Sequence, residues 1–206
     1  MIAIIDYDAG NIKSVEKALE YLGEKVIITR DKNELLKASG VILPGVGSFK
    51  DAMDNLNKYN LCEAIREVTD KKIPFLGICL GLQLIFEKSE ESPGVEGLKL
   101  LEGEIVKIPE KDDIKIPHIG WNSLKFPNKG RLFKGIKEDS FVYFVHSYYL
   151  KAKDPSIVTA VTEYGANIQA SVEKDNIFAC QFHPEKSSET GLCILKNFIE
   201  ITKENK

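Results

Sequence analysis

Paired cysteines, long apolar runs and an excess of one charge are what this 206-residue sequence lacks. Its four cysteines, Cys62, Cys79, Cys180 and Cys193, form no C-x-x-C pair and show no ligand spacing with the three histidines, His118, His146 and His183. A structural zinc site is therefore not expected, and no other metal is implied. No apolar stretch approaches the roughly 18 residues that span a bilayer. The opening "MIAIIDYDAG" also lacks the charged-then-apolar pattern of a secretory signal. Reduced thiols in a cytoplasm are the expectation. With 28 Lys and Arg against 31 Asp and Glu, the formal charge of −3 gives no electrostatic case for nucleic acid or an anionic membrane. The densest basic stretch, "KFPNKGRLFKGIK" at 125–137, reads as a solvated loop.

What remains is a 43% hydrophobic, 29% charged chain, the balance of a soluble globular protein, and its length suits one α/β domain over 1–206. The first half alternates strand and helix. "IAIID" (2–6), "KVIIT" (25–29), "GVILPG" (40–45) and "IPFLGI" (73–78) are short apolar runs without alternation, as parallel strands covered on both faces require. Between them "IKSVEKALEYLG" (12–23) carries Ile12, Val15, Ala18, Leu19 and Leu22 on one helical face, and 50–69 holds the helical period throughout. A helix is also expected over "LGLQLIFEK", 80–88.

From about residue 98 the pattern changes to strand-like segments, including "WNSLKF", "FVYFVHSYYL" and "NIQASVEK", with the next helix at 188–202. The charged run 108–118 reads as a surface loop. The fold class predicted is α/β, a mostly parallel sheet flanked by helices and extended by antiparallel strands in the second half.

Chemistry concentrates at "GICLGLQ". Gly77, Cys79 and Gly81 form a G-x-C-x-G strand-to-helix elbow, the sulfur counterpart of a nucleophile elbow, with the amide of Leu80 free to face an oxyanion. Alone the motif is weak, because a free cysteine usually just packs. A thiolate nucleophile needs a base, and the base needs an orienting group. His183 follows an apolar strand in "CQFHPEKS", two residues before Glu185. If the segment stays extended, the two side chains face the same way. Alone, the commoner reading of such a segment is a surface turn with a solvated glutamate. His146, inside an aromatic strand, is the runner-up base and reads more simply as a packed, hydrogen-bonded histidine. His118 follows a proline in a loop with no carboxylate nearby in sequence. "LPGVGSF" (43–49) offers flexible amides at the carboxyl edge of the sheet, where α/β proteins place their sites.

"LPGVGSF", "GICLGLQ" and "FHPEKS", in that order over some 140 residues, together resemble the class I (triad) glutamine amidotransferases, whose fold is flavodoxin-like. "IDYDAGNIKSV", P-G-V-G, "PHIGWN" and "YFVHSY" further resemble the branch of that family that forms the glutaminase subunits of imidazole glycerol phosphate synthases. The resemblance implies Cys79 as nucleophile, His183 as base and acid, and Glu185 as the group orienting it. It implies an oxyanion hole from Gly45, Val46, Gly47 and the amide of Leu80, and a glutamine pocket that includes Gln83, Ser147 and Tyr148. It places Asn11, Trp121, Tyr143 and Lys186 at the contact with a (β/α)8-barrel cyclase subunit in a heterodimer. No cofactor is implied. Trp121 could equally anchor the core, and Lys186 could be a solvated charge. Rival readings are another amidotransferase of the same class, serving pyridoxal phosphate, folate, tryptophan or guanine nucleotide synthesis, a stand-alone γ-glutamyl hydrolase, or a thiol sensor.

Overall fold

In the computed structural model, residues 1–112 and 114–204 are described, so one position of the expected 108–118 loop and the last two residues lie outside the description. The strands are β1 (Ile2–Ile5), β2 (Val26–Thr29), β3 (Gly40–Gly45), β4 (Phe75–Cys79), β5 (Lys88–Ser89), β6 (Gly103–Lys107), β7 (His118–Ser123), β8 (Phe141–His146), β9 (Tyr148–Ala152), β10 (Val158–Glu163), β11 (Asn167–Lys174) and β12 (Ile177–Cys180). The helices are α1 (Ile12–Tyr21), α2 (Lys32–Lys37), α3 (Phe49–Lys58), α4 (Leu61–Asp70), α5 (Leu80–Leu84) and α6 (Ser188–Glu204). Ten strands form one sheet in the order β2-β1-β3-β4-β12-β11-β9-β6-β5, with β10 on β11, while β7 and β8 pair separately. From β2 to β12 the pairing is parallel; β11, β9 and β6 continue it antiparallel.

Side-chain alternation divides the core in two. Ala3, Ile5, Val41 and Leu43 pack with α2, α3 and α4 on one face of the sheet. Ile2, Ile4, Ile42, Leu76 and Ile78 pack with α1 and α6 on the other. Removing a buried aromatic such as Phe198 from a core of this kind costs about 3–5 kcal/mol. The ion pairs join mostly exposed groups, whose attraction water and salt screen, so burial holds the strands in place.

Four local outcomes differ from the sequence reading. The helical period over 50–69 is broken at Asn60, which sits in the left-handed region with φ of 56°, giving two ten-residue helices. Asparagine tolerates that conformation, and because both helices bury the same face, the periodicity does not register the break. The helix after Cys79 stops at Leu84, because the carbonyls of Leu84 and Ile85 accept from the amides of Leu98, Leu100 and Leu101. Helix α2 was not anticipated, although its signal is present: Asp31 caps it by accepting from the Glu34 amide at 3.0 Å. The run "FVYFVHSYYL" is two strands in different sheets, parted at Ser147.

Candidate active site

Strands β3 and β4 run side by side and end together, with Gly45 opposite Cys79. Cys79 turns the chain into α5 with φ of 55° and ψ of −109°, a conformation that L-residues rarely adopt and that costs of order 1–3 kcal/mol. The glycines on either side make the turn sterically possible. A Cβ on Gly77 would lie 2.7 Å from the Gly81 carbonyl oxygen, and one on Gly81 would lie 2.0 Å from that of Leu43. Buried Tyr7 donates its hydroxyl to the Pro44 carbonyl at 2.7 Å. Burial, and then the charge of Cys79, push its pKa up, so it stays a donor and pins the end of β3.

His183 follows β12, which pairs in parallel with β4. Pro184–Lys186 is a single 3-10 turn, so the condition of an extended segment is not met; proline sets the first φ of the turn. Glu185 nevertheless reaches back, accepting from His183 Nδ1 at 2.8 Å with both side chains buried. His183 Nε2 has no hydrogen-bond partner among the described residues. Burial opposes a charge on this ring, but the Cys79 sulfur and the Glu185 carboxylate outweigh it and push the pKa up to about 9. The backbone holds this turn against β8: the His183 amide donates to the Tyr143 carbonyl, and the Tyr143 amide donates to Ser187 Oγ, both at 2.9 Å.

A cavity of about 260 Å³ opens beside the sulfur, lined by Val46, Gly47, Cys79, Leu80, Gln83, Glu91, Pro117, Val145, His146, Ser147 and Tyr148. Six of the positions expected around substrate are therefore on its wall: Val46, Gly47, Leu80, Gln83, Ser147 and Tyr148. Gly45 lies behind them, buried at the end of β3. The sequence reading missed Glu91, the one carboxylate on this wall, which accepts from the Phe49 amide at 2.8 Å.

His146 also lines the cavity, but not as a base. Its Nδ1 donates to the Tyr148 carbonyl at 2.9 Å, which leaves Nε2 to accept from His118 Nδ1 at 3.0 Å. Burial pushes the pKa of His146 down to about 3 and that of His118 to about 4. Both rings are thus neutral and fully committed, as the packed reading of His146 requires.

The four positions expected at a partner divide into two groups. Trp121 is 51% exposed, which removes the core-anchor alternative for it. It lies on β7 beside Ile119, also exposed, and opposite Tyr143 on β8. Lys186 is exposed next to Glu185. Asn11 sits at the N-cap of α1 but does not cap it; its amide points to Glu185 Oε1 at 3.4 Å. The loop before it is held by Arg30, which pairs with Asp6 at 2.6 Å and Asp8 at 2.9 Å.

A thiol, an imidazole and a carboxylate at the carboxyl edge of a parallel sheet form the side-chain set of a thiol hydrolase. Residues 3–201 match the family model of the class I glutamine amidotransferases, and the chain belongs to that family.

Among its relatives, the imidazole glycerol phosphate synthase subunit HisH of Moorella thermoacetica is 53% identical, over 98% of this chain and 95% of its own. The protein of that name from Methanocaldococcus jannaschii is 51% identical, over 98% of this chain and all of its own. Among solved structures, a glutamine amidotransferase superposes with a TM-score of 0.77 at 17% identity, covering 98% of this chain and all of that one. PurLQS from Thermotoga maritima gives 0.74 at 20% identity, with 97% of each chain covered. At these identities the structural likeness speaks to the fold, and the sequence relatives to the branch.

Proposed function

We propose that this chain is the glutaminase subunit of an imidazole glycerol phosphate synthase, hydrolysing glutamine and passing the ammonia to a cyclase subunit in histidine biosynthesis. The observation that carries the site assignment is His183, held on one side by Glu185 at 2.8 Å and, among the described residues, without a hydrogen-bond partner at Nε2, where Cys79 shifts its proton affinity. In this reading Cys79 attacks the side-chain amide carbon of glutamine. The oxyanion is held by backbone N–H groups of the 45–47 loop and of Leu80; losing one such donor typically costs about 100- to 1,000-fold. His183 protonates the departing ammonia and then activates the water that releases glutamate. Glu91, on the cavity wall, suits the α-ammonium of glutamine, and Ser147 and Tyr148 line the same cavity.

The acceptor is a (β/α)8-barrel cyclase that makes imidazole glycerol phosphate and aminoimidazole carboxamide ribonucleotide. It docks on the exposed face carrying Trp121 and Tyr143, with Asn11 and Lys186 beside it. The proposal takes the chain as one cytoplasmic domain. Its four thiols are free, and among the described residues no helix is long and apolar enough to cross a membrane.

The test is labelling with the glutamine-analogue electrophile diazo-oxo-norleucine, followed by peptide mapping. Modification at Cys79 is expected; modification at Cys62, Cys180 or Cys193 alone overturns the assignment. In the assembled complex, Glu185→Gln is expected to lower glutaminase turnover roughly 100- to 10,000-fold, the range of general acid–base catalysis.

A further inference from the structure

We propose that Gln181 is a further catalytic residue, whose side-chain N–H groups hold the Cys79 sulfur as the thiolate that attacks and as the thiolate that leaves. The inference rests on Cys79 being the nucleophile. Gln181 follows β12 directly and is fully buried, with Nε2 3.7 Å from Cys79 Sγ. Burying a carboxamide in an apolar core is unfavourable unless its polar atoms are paired, and each polar atom here has a partner.

The orientation of this amide is fixed from outside the sulfur. A backbone carbonyl can only accept, so at the Tyr148 carbonyl Gln83 must present its amino end, Nε2, at 3.2 Å. The same Nε2 lies 3.0 Å from Gln181, so the atom of Gln181 facing it must be the acceptor, Oε1. That leaves the amino group of Gln181 aimed at the sulfur. Flipping Gln181 would set two amino groups against each other and turn a carbonyl oxygen toward a thiolate. Among the described residues the Cys79 thiol donates to the Val145 carbonyl at 3.9 Å, a partner that suits S–H and not S⁻. Gln181 therefore supplies a donor to the ionised sulfur beside the His183 ring, one whose proton is never given up in the reaction.

In the reaction the sulfur lone pair forms the C–S bond as the carbonyl π pair moves to oxygen. The C–N bond then breaks, with a proton from His183 going to ammonia. After water adds, the C–S bond breaks and its electron pair returns to sulfur as thiolate. The Gln181 N–H groups favour the first and last of these states, where the charge is on sulfur, over the neutral thioester between them. The titratable groups facing the sulfur are Tyr7, Cys180 and His183, with Glu185 behind His183 and Glu91, His146 and Tyr148 on the cavity wall. None of these groups is substituted in the variants below.

The experiment is iodoacetamide alkylation of Cys79 as a function of pH, mapped by peptide, in the full chain and in Gln181→Met, which keeps length and removes the donor. The variant's alkylation rate is expected to reach its plateau at higher pH and to fall about 10- to 100-fold at neutral pH, the size of one hydrogen bond to a charged group. Turnover should drop by a similar factor with KM little changed. Gln181→Glu, which keeps the acceptor for Gln83 and loses the donor, should move the profile in the same direction and further. In the unaltered chain, the side-chain amide resonances of Gln181 should shift as Cys79 ionises, whether or not either variant folds. An unchanged alkylation profile in a folded variant, or amide resonances that do not move, overturns the role of Gln181. Failure of Cys79 to be labelled in the unaltered chain would instead overturn its role as nucleophile.

Discussion

His183 is the residue whose surroundings set its chemistry most strongly. Its pKa is raised from 6.5 to about 9, the ordinary sign for a histidine that gains an anionic partner, despite burial that opposes the charge. The stability this contributes is fully present below pH 6.5 and is lost as pH rises through about 9. His183→Gln should therefore lower the thermal midpoint more at about pH 6 than at about pH 10, measured by calorimetry on the isolated chain. A gap between variant and parent that stays constant with pH would mean that the ring is not charged at rest. His118 and His146 move the opposite way, both downward, because burial penalises their charge and no anionic partner offsets it among the described residues. The three rings thus shift in opposite directions according to what each one faces: Glu185 and the Cys79 sulfur for His183, a neutral hydrogen-bonded pair for the other two.

At the scale of elements, Asn60 separates two helices that share one hydrophobic face. Asn60→Val should cost about 1–2 kcal/mol, because a β-branched residue resists the left-handed region, whereas Asn60→Gly should change stability by a few tenths. Urea denaturation of both variants checks this, and equal losses would place the cost in the side chain and not in φ. The parallel strands were legible because Ile2–Ile5 and Gly40–Gly45 are apolar without interruption, which is what double-sided burial demands. Breaks were not legible where pattern and geometry part company. The period through 60 continues across the kink, the aromatic run 141–150 continues across Ser147, and the end of α5 is set by carbonyls shared with residues 98–101. At the site, each order-bearing motif could be read, namely the elbow, the His-Pro-Glu turn and the P-G-V-G loop. Glu91 and Gln181 could not, since each is placed by tertiary pairing that no local pattern announces.

For the whole molecule, the two-stranded sheet gathers three exposed large hydrophobic side chains on one small surface. Alternation along β7 turns His118 inward toward His146 and leaves Ile119 and Trp121 outside, with Phe141 exposed on β8. Trp121→Ala should leave folding stability within about 0.5 kcal/mol, as for an exposed site. It should weaken binding to the proposed cyclase subunit roughly 30-fold, the loss typical of a central interface tryptophan. Titration calorimetry with that subunit decides the matter, and unchanged affinity would remove this face from the interface.

The close approach around the elbow has a consequence for how the protein can tolerate change. What a side chain at Gly77 would strike is the main chain of Gly81, and what one at Gly81 would strike is the main chain of Leu43. No shortening of a neighbouring side chain makes room for a carbonyl oxygen. A lesion at either glycine therefore has no single-substitution suppressor nearby, and a selection for revertants should return the original glycine.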